Sequence, residues 1–247
     1  MQLSKYNASG NDFVIFHTFK SLNRRELAMS LCDRFNSIGA DGLIVILPSK
    51  ECDFEWEFYN SDGSLASMCG NGSRAAALYA YQNSLCSKNC SFKTGAGIIK
   101  ASIDNDFVEV ALTAPKKLSE PFIEYGFEWS FYDTGVPHLV TFVDNLSKFD
   151  LNVCSELRKK YNANVNFAHL KDNGVLEVRT FERGVENETN ACGTGMAASF
   201  YTGVDRFKFN PCLKVNPKSK EDLWLKFDGE TIYFKGKVKH CFDTSIS

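Results

Sequence analysis

The sequence predicts an α/β fold of the α+β kind: two pseudo-symmetric domains, each a curved mixed β-sheet wrapped around a central buried helix. Three observations predict it. First, the chain repeats itself. Met68-Cys69-Gly70-Asn71-Gly72-Ser73 follows a strand-like run ending in Asn60-Ser61-Asp62-Gly63, and Ala191-Cys192-Gly193-Thr194-Gly195-Met196 follows one ending in Phe181-Glu182-Arg183-Gly184. The two cysteines lie 123 positions apart in a chain of 247 residues. Gly10-Asn11-Asp12-Phe13-Val14 also corresponds to Gly135-Val136-Pro137-His138-Leu139-Val140 at an offset of 125, and two features in register point to a duplicated domain. Second, the segments after the cysteines, Ala75–Ala80 and Met196–Phe200, are apolar on nearly all sides, as a helix buried all round must be. Third, much of the remaining chain alternates in strand fashion.

In chain order, Phe13 to Phe19 reads as a strand. Asn23 is expected to cap a helix running to about Phe35, with Glu26 three positions on completing a capping box. Gly42 to Leu47 is a short buried-type strand, and Asp53 to Tyr59 alternates Phe54, Trp56 and Phe58 against Asp53, Glu55 and Glu57. Phe92 to Ala111 holds two or three strands. Its Thr94-Gly95-Ala96-Gly97 lacks the third glycine and long helix of a dinucleotide site and reads as a hairpin turn. A helix from about Val153 to Tyr161 precedes strands near Val165–Lys171 and Leu176–Phe181. Leu223 to Val238 alternates around a turn at Asp228-Gly229. The softest boundary is Ala114-Pro115-Lys116-Lys117, so the domains are expected at 1–115 and 116–235.

Composition narrows the function. Lys+Arg 28 against Asp+Glu 30 leaves no basic footprint for nucleic acid. No apolar run reaches the roughly 20 residues of a membrane helix, and the first residues lack the apolar core of a signal peptide. The expectation is a soluble cytoplasmic protein without nucleic-acid or membrane partners. Nine cysteines are an odd count, so a secreted disulfide framework is disfavoured. Cys86 and Cys90 form a C-x3-C pair with no second Cys/His pair at zinc spacing, so no metal is expected. Cys32, Cys154, Cys212 and Cys241 lack flanking glycines and read as packing residues. His17, His169 and His240 read as surface or strand residues.

Cys69 and Cys192 are different. Each sits where a helix begins, and there unpaired N–H groups and the positive dipole end favour an anion and lower a thiol's pKa. The flanking glycines leave backbone N–H groups open to a carboxylate. Two equivalent thiols facing each other suit one task well: moving a proton from one face of a carbon to the other, with a base on one side and an acid on the other. Helix N–H donors would hold the charge that develops on a neighbouring carboxylate. An amino-acid racemase or epimerase follows. A thiol hydrolase using His138 would leave the second cysteine without work. A redox pair would keep its cysteines close in sequence.

The chain resembles the diaminopimelate epimerase family. The resemblance is carried by Lys5 to Val14, Gly39-Ala40-Asp41-Gly42, Asn60 to Ser64, Met68 to Arg74, Gly135-Val136-Pro137-His138, Glu182-Arg183-Gly184 and Ala191 to Gly195, in order over nearly the whole chain. It implies the family's two-domain fold, with the C-terminal strand 236–247 returning to the first domain. It also implies interconversion of LL- and meso-diaminopimelate without pyridoxal phosphate or any other cofactor, in lysine and peptidoglycan-precursor synthesis, by a chain that forms a homodimer.

By the same resemblance Cys69 and Cys192 take the acid/base roles. Asn11, Asn60, Asn166, Glu182 and Arg183 contact the remote end of the substrate and its amino groups. Gly70, Asn71, Gly193 and Thr194 supply the helix-terminal donors. Arg183 suits a bidentate grip on the distal carboxylate. The chain departs from some members at Val136, where they carry Asn, and at Gly42, where they carry Gln. It is also one residue longer between Glu182 and Cys192 than some relatives, around Glu186-Asn187. The alternative is a related cofactor-independent proline or hydroxyproline racemase. The polar set Asn60, Asn166, Glu182 and Arg183 argues against it, because a ring substrate has no second ammonio-carboxylate end.

Overall fold

The computed structural model describes Met1 to Ile246. The chain divides into two compact units, Met1–Ala111 with the segment from Lys235 onward, and Leu112–Phe234. The first break falls ahead of Pro115 because the Leu112 N–H donates to the Ile232 carbonyl at 2.8 Å, tying residues 112–115 to the second unit.

The first unit contains β1 (Gln2–Ala8), β2 (Asn11–His17), α1 (Arg25–Cys32), β3 (Gly42–Leu47), β4 (Phe54–Asn60), α2 (Gly70–Gln82), β5 (Asn89–Thr94), β6 (Gly97–Asp104) and β7 (Phe107–Ala111). The second contains β8 (Lys116–Glu124), β9 (Phe127–Asp133), β10 (Pro137–Phe142), α3 (Leu151–Tyr161), β11 (Asn164–Leu170), β12 (Leu176–Glu182), β13 (Asn187–Thr189), α4 (Gly193–Phe207), β14 (Cys212–Asn216) and β15 (Leu223–Phe227). The last strand, β16 (Ile232–Ser245), gives its first residues to the second unit and the rest to the first.

In the first unit the sheet runs β1-β2-β3-β4-β5-β6-β7-β16, and β16 pairs antiparallel with β1, so the ring closes. Inside it lies α2, packed against β1, β2, β3, β6 and β7 and buried from Gly70 to Ala80. Outside it lies α1, where Ala28, Leu31 and Cys32 cover Val14, Phe16, Leu43, Val45 and Leu47. A strand packed on both faces has no reason to alternate, which is why β3 is buried at every position. In the second unit the order is β8-β9-β10-β11-β12-β14-β15-β16. There α4 packs on the face formed by β9 to β12, β14 and β15, while α3 seats Cys154 and Leu157 against Leu139, Val165, Phe167 and Phe181.

The repeat read from the cysteines extends to the hydrogen-bond pattern. β2 and β3 pair in parallel across α1, and β10 and β11 pair in parallel across α3. β3–β4 and β11–β12 are both antiparallel. After each Cys-led helix the next strand returns parallel, β5 to β4 and β14 to β12.

Several expectations shift. The helix expected from Asn23 to Phe35 is only Arg25–Cys32. The N-cap is Arg24 without a side-chain cap, one residue after the Asn23 expected there, and Asn23 Oδ1 accepts the Arg25 N–H at 3.1 Å. Asp33 turns extended and its carboxylate takes the Phe35 and Asn36 N–H groups, ending the helix early. Strands β1, β8, β9 and β14 carry no clean alternation. β1 is buried from Leu3 to Tyr6, and β8 is an edge strand with a broken register against β9. Cys32 and Cys154 are buried, but Cys212 and Cys241 are exposed on β14 and β16, so the packing role expected for those two is corrected. Among the described residues no helix is long and apolar enough to cross a membrane.

Candidate active site

In the first unit the chain leaves β4 at Asn60 and reaches Cys69 in extended conformation (φ −151°, ψ 117°), at the N-cap of α2. The Cys69 sulfur accepts the Gly72 N–H at 3.3 Å, the position an N-cap oxygen ordinarily takes. The first intrahelical bond is Ser73 N–H to the Cys69 carbonyl, so the Gly70 and Asn71 N–H groups lie ahead of it, as donors for an external acceptor. A glycine at 72 brings this turn close: a Cβ there would stand 3.3 Å from the Cys69 Cβ and 3.4 Å from Ile44.

Beneath the cysteine is a polar chain. Asn71 Nδ2 donates to Asn11 Oδ1 at 2.6 Å, and Asn11 Nδ2 donates to Asp41 at 3.1 Å. Asn71 Oδ1 accepts from the fully buried Arg74 guanidinium at 2.7 Å, which also donates to Ser9 Oγ at 2.6 Å. Asn11 and Asn71 are therefore brought together and hold one another. Asp41 and Asp12 are in turn clamped by Arg34, and Asp12 also meets Lys5 at 2.9 Å. Burial works to raise the Asp12 carboxyl, but the charged hydrogen bonds from Arg34 and Lys5 outweigh it and hold it well below the usual range. Asn60, at the end of β4, is half-buried and donates to Ser64 Oγ at 2.9 Å.

In the second unit Cys192 is extended (φ −120°, ψ 108°) at the N-cap of α4 and buried. Its sulfur lies 3.6 Å from Thr194 Oγ1 and is hydrogen-bonded to the Glu182 carboxyl. Burial pushes Glu182 up, and hydrogen bonds from Thr189 Oγ1 (2.8 Å) and the Cys192 thiol offset part of that rise. Thr194 Oγ1 stands 2.9 Å from His138 Nε2. A Cβ at Gly193 would sit 3.3 Å from the Phe234 ring. The Arg183 N–H is held by Asn164 Oδ1 at 2.8 Å, and its guanidinium donates to the Asn162 carbonyl at 2.9 Å on an exposed turn. Glu186 and Asn187 lie at the β12–β13 turn, where Gly184 (φ +92°) and Glu186 (φ +57°) are left-handed.

Asn166 is enclosed. The resemblance gives it a contact to the substrate, but it is fully buried on β11 and both ends of its amide are engaged. Nδ2 donates to the Leu139 carbonyl at 2.8 Å and to His138 Nδ1 at 3.1 Å, and Oδ1 accepts from Thr180 at 2.8 Å. The residue on the same face that reaches the Glu182-Arg183 corner is Asn164, two positions earlier. Period-2 alternation on β11 puts both asparagines on one face; Asn164 is buried as well, and its bond to the Arg183 backbone distinguishes it.

The other thiols differ in character. Burial pushes Cys32 up to about 11 and Cys154 up to about 12, which keeps both as thiols. Cys86 and Cys90 are hydrogen-bonded to one another, an arrangement that lowers Cys86 and raises the buried Cys90.

A family model described as diaminopimelate epimerase matches residues 3–118 and 130–239 of the chain. The chain belongs to the diaminopimelate epimerase family. The diaminopimelate epimerase of a Nitratiruptor species is 57% identical over 99% of this chain and 98% of that protein. The diaminopimelate epimerase of Campylobacter lari is 54% identical over 100% and 99% respectively. Among solved structures, a probable proline racemase from Agrobacterium radiobacter has a TM-score of 0.78, covering 100% of this chain and 92% of that one. At 12% identity that likeness is one of fold alone. Both cysteines, and every motif on which the resemblance rests, fall inside the span matched to the diaminopimelate epimerase family.

Proposed function

We propose that the chain interconverts LL- and meso-diaminopimelate without a cofactor, using Cys69 and Cys192 as a base/acid pair. The observation that carries this reading is the pair of N-cap cysteines, each in extended backbone at the head of a buried helix, in a chain of this family. One sulfur, as thiolate, takes the α-proton. The other, as thiol, delivers a proton to the opposite face, and the reverse reaction exchanges the roles. The carbanion formed between these steps spreads its charge onto the adjacent carboxylate. The N–H groups of Gly70, Asn71, Gly193 and Thr194 are the donors we assign to that carboxylate, because donors already oriented by a helix start cost no reorganisation.

For the remote end of the substrate we assign Asn11, Asn60, Glu182 and Arg183, with Asn164 in the place the resemblance gives to Asn166. Swinging away from the Asn162 carbonyl frees Arg183 to meet a carboxylate with two parallel N–H bonds. A ring amino acid offers this group nothing to hold, which sets the proline-type reading aside. We further place the enzyme in the cytoplasm, as a homodimer, in lysine and peptidoglycan-precursor synthesis.

The test is solvent isotope exchange. Purified, reduced protein incubated with either diaminopimelate isomer in deuterated water should place deuterium at Cα of the product. Exchange into proline with none into diaminopimelate would reverse the assignment.

A further inference from the structure

The face of the second unit's sheet that meets α4 is unusually polar. His138, Asn166 and Thr180 are buried there, His138 and Asn166 completely. Proton bookkeeping through Asn166 and His138 has a single solution. The Leu139 carbonyl can only accept, so the Asn166 atom 2.8 Å from it is the amide nitrogen, and Thr180 Oγ1, 2.8 Å from the other end, donates to Oδ1. The second Asn166 N–H then points at His138 Nδ1, 3.1 Å away, which must accept it. Burial, with the Arg183 charge adding to it, pushes His138 down to about 3, so the ring is neutral and its one proton sits on Nε2. That Nε2–H donates to Thr194 Oγ1 at 2.9 Å, leaving the Thr194 hydroxyl proton for the Cys192 sulfur at 3.6 Å. Asn164 Nδ2, 3.4 Å from Nε2, is a donor too and is turned to the Pro137 carbonyl.

We propose that Asn166, locked by Thr180, is a positioning residue that fixes the tautomer of His138 and thereby makes the Thr194 hydroxyl a donor to the Cys192 sulfur. With the amide reversed, His138 would carry its proton on Nδ1 and Thr194 would donate to the ring, leaving the sulfur facing lone pairs. The lock thus favours the thiolate of Cys192 from inside the domain, opposing the Glu182 carboxylate, which favours the thiol. Gly195 allows the helix to sit down on the lock: a Cβ there would be 2.9 Å from Thr180 Oγ1 and nearer still to Asn166 Oδ1.

The inference rests on the proposed role of Cys192, but its test needs no substrate, so the two can fail separately. Nitrogen-15 spectra of the four-histidine protein, with His138 assigned by its loss in His138→Gln, report which ring nitrogen is protonated. The wild type should show Nε2 protonated and Nδ1 bare at neutral pH. In Thr180→Val, which keeps shape and removes the donor, the spectrum should move toward a tautomer mixture. Alkylation of Cys192 by iodoacetamide, read by peptide mapping, should then slow about tenfold at a fixed pH below its titration, the scale of one lost hydrogen bond to a charged group. Thr180→Ser should restore both readouts, and Asn166→Ala should repeat the loss. His138 protonated on Nδ1 in the wild type overturns the proposal. So does unchanged Cys192 alkylation in both Thr180→Val and Asn166→Ala.

Discussion

Replacing Gly195 by Ala tests how tightly the head of α4 is seated. The new methyl would lie 2.9 Å from Thr180 Oγ1, closer than that to Asn166 Oδ1, and 3.4 Å from the Cys192 Cβ. Ordinary contact needs about 3.5 Å, so Thr180 must retreat by roughly half an ångström and the Asn166 amide by more. Neither is the free end of a flexible chain. Both are short side chains on strands and both are buried, so the movement stretches the 2.8 Å bonds joining Asn166 to Leu139 and to Thr180. Overpacking costs about 1–3 kcal/mol and an impaired buried hydrogen bond about 1–3 kcal/mol, which together set the expected loss at ~3 kcal/mol. For a unit of this size that corresponds to a Tm lower by ~10 °C. Gly193→Ala is the control, because its Cβ meets only the edge of the Phe234 ring at 3.3 Å and should cost under about 1 kcal/mol. Calorimetry of both variants, with turnover measured well below their melting temperatures, decides the matter. A Gly195→Ala protein melting within about 2 °C of wild type would refute the reasoning.

Other outcomes follow from the same structure. Cys69→Ala and Cys192→Ala should each lose ~100-fold or more of the epimerisation rate in both directions, whereas Cys86→Ala and Cys90→Ala should stay near wild type; turnover of either isomer, followed by chiral chromatography, reads this. If Cys69 and Cys192 act on one carbon as proposed, mild oxidation should join them, abolish activity reversibly and be slowed by substrate; peptide maps under non-reducing conditions would show instead a Cys86–Cys90 link if that proposal is wrong. The buried neutral His138 binds its proton near 3 when folded against 6.5 when unfolded, so below pH 6.5 the unfolded chain takes up a proton that the folded one refuses. Stability should therefore fall as pH drops, by about 2 kcal/mol or more at pH 4.5 from this group, and denaturant titrations of His138→Gln should show a flatter acid limb.

Much of the fold is legible in the sequence because it rests on local, repeated signals. The spacing of Cys69 and Cys192 and the wholly apolar helices behind them imply burial without reference to any partner. Strands with one solvated face, such as β4, declare themselves by alternation. β1 hides because its middle is buried on both faces, and β8 because an exposed edge imposes no pattern. The end of α1 escapes the periodic signal for a local reason: Asp33 competes for the backbone N–H groups that a longer helix would use.

From residues alone come the family, the duplicated architecture and the two cysteines at helix starts. Each depends on residue type and spacing, which the chain carries in one dimension. The division of labour among the polar residues does not. Asn164 and Asn166 share a strand, a face, a side-chain chemistry and burial, yet one holds the Arg183 backbone and the other lies against Gly195 of α4. Which of them lies there depends on β10, β12 and α4, elements well separated along the chain, converging on one buried amide. Hydrogen-bond direction is a property of the assembled set of donors and acceptors, because each buried polar group must find its partner among whatever the fold brings near. The tautomer of His138, and with it the proton on Thr194 that faces Cys192, is decided only there.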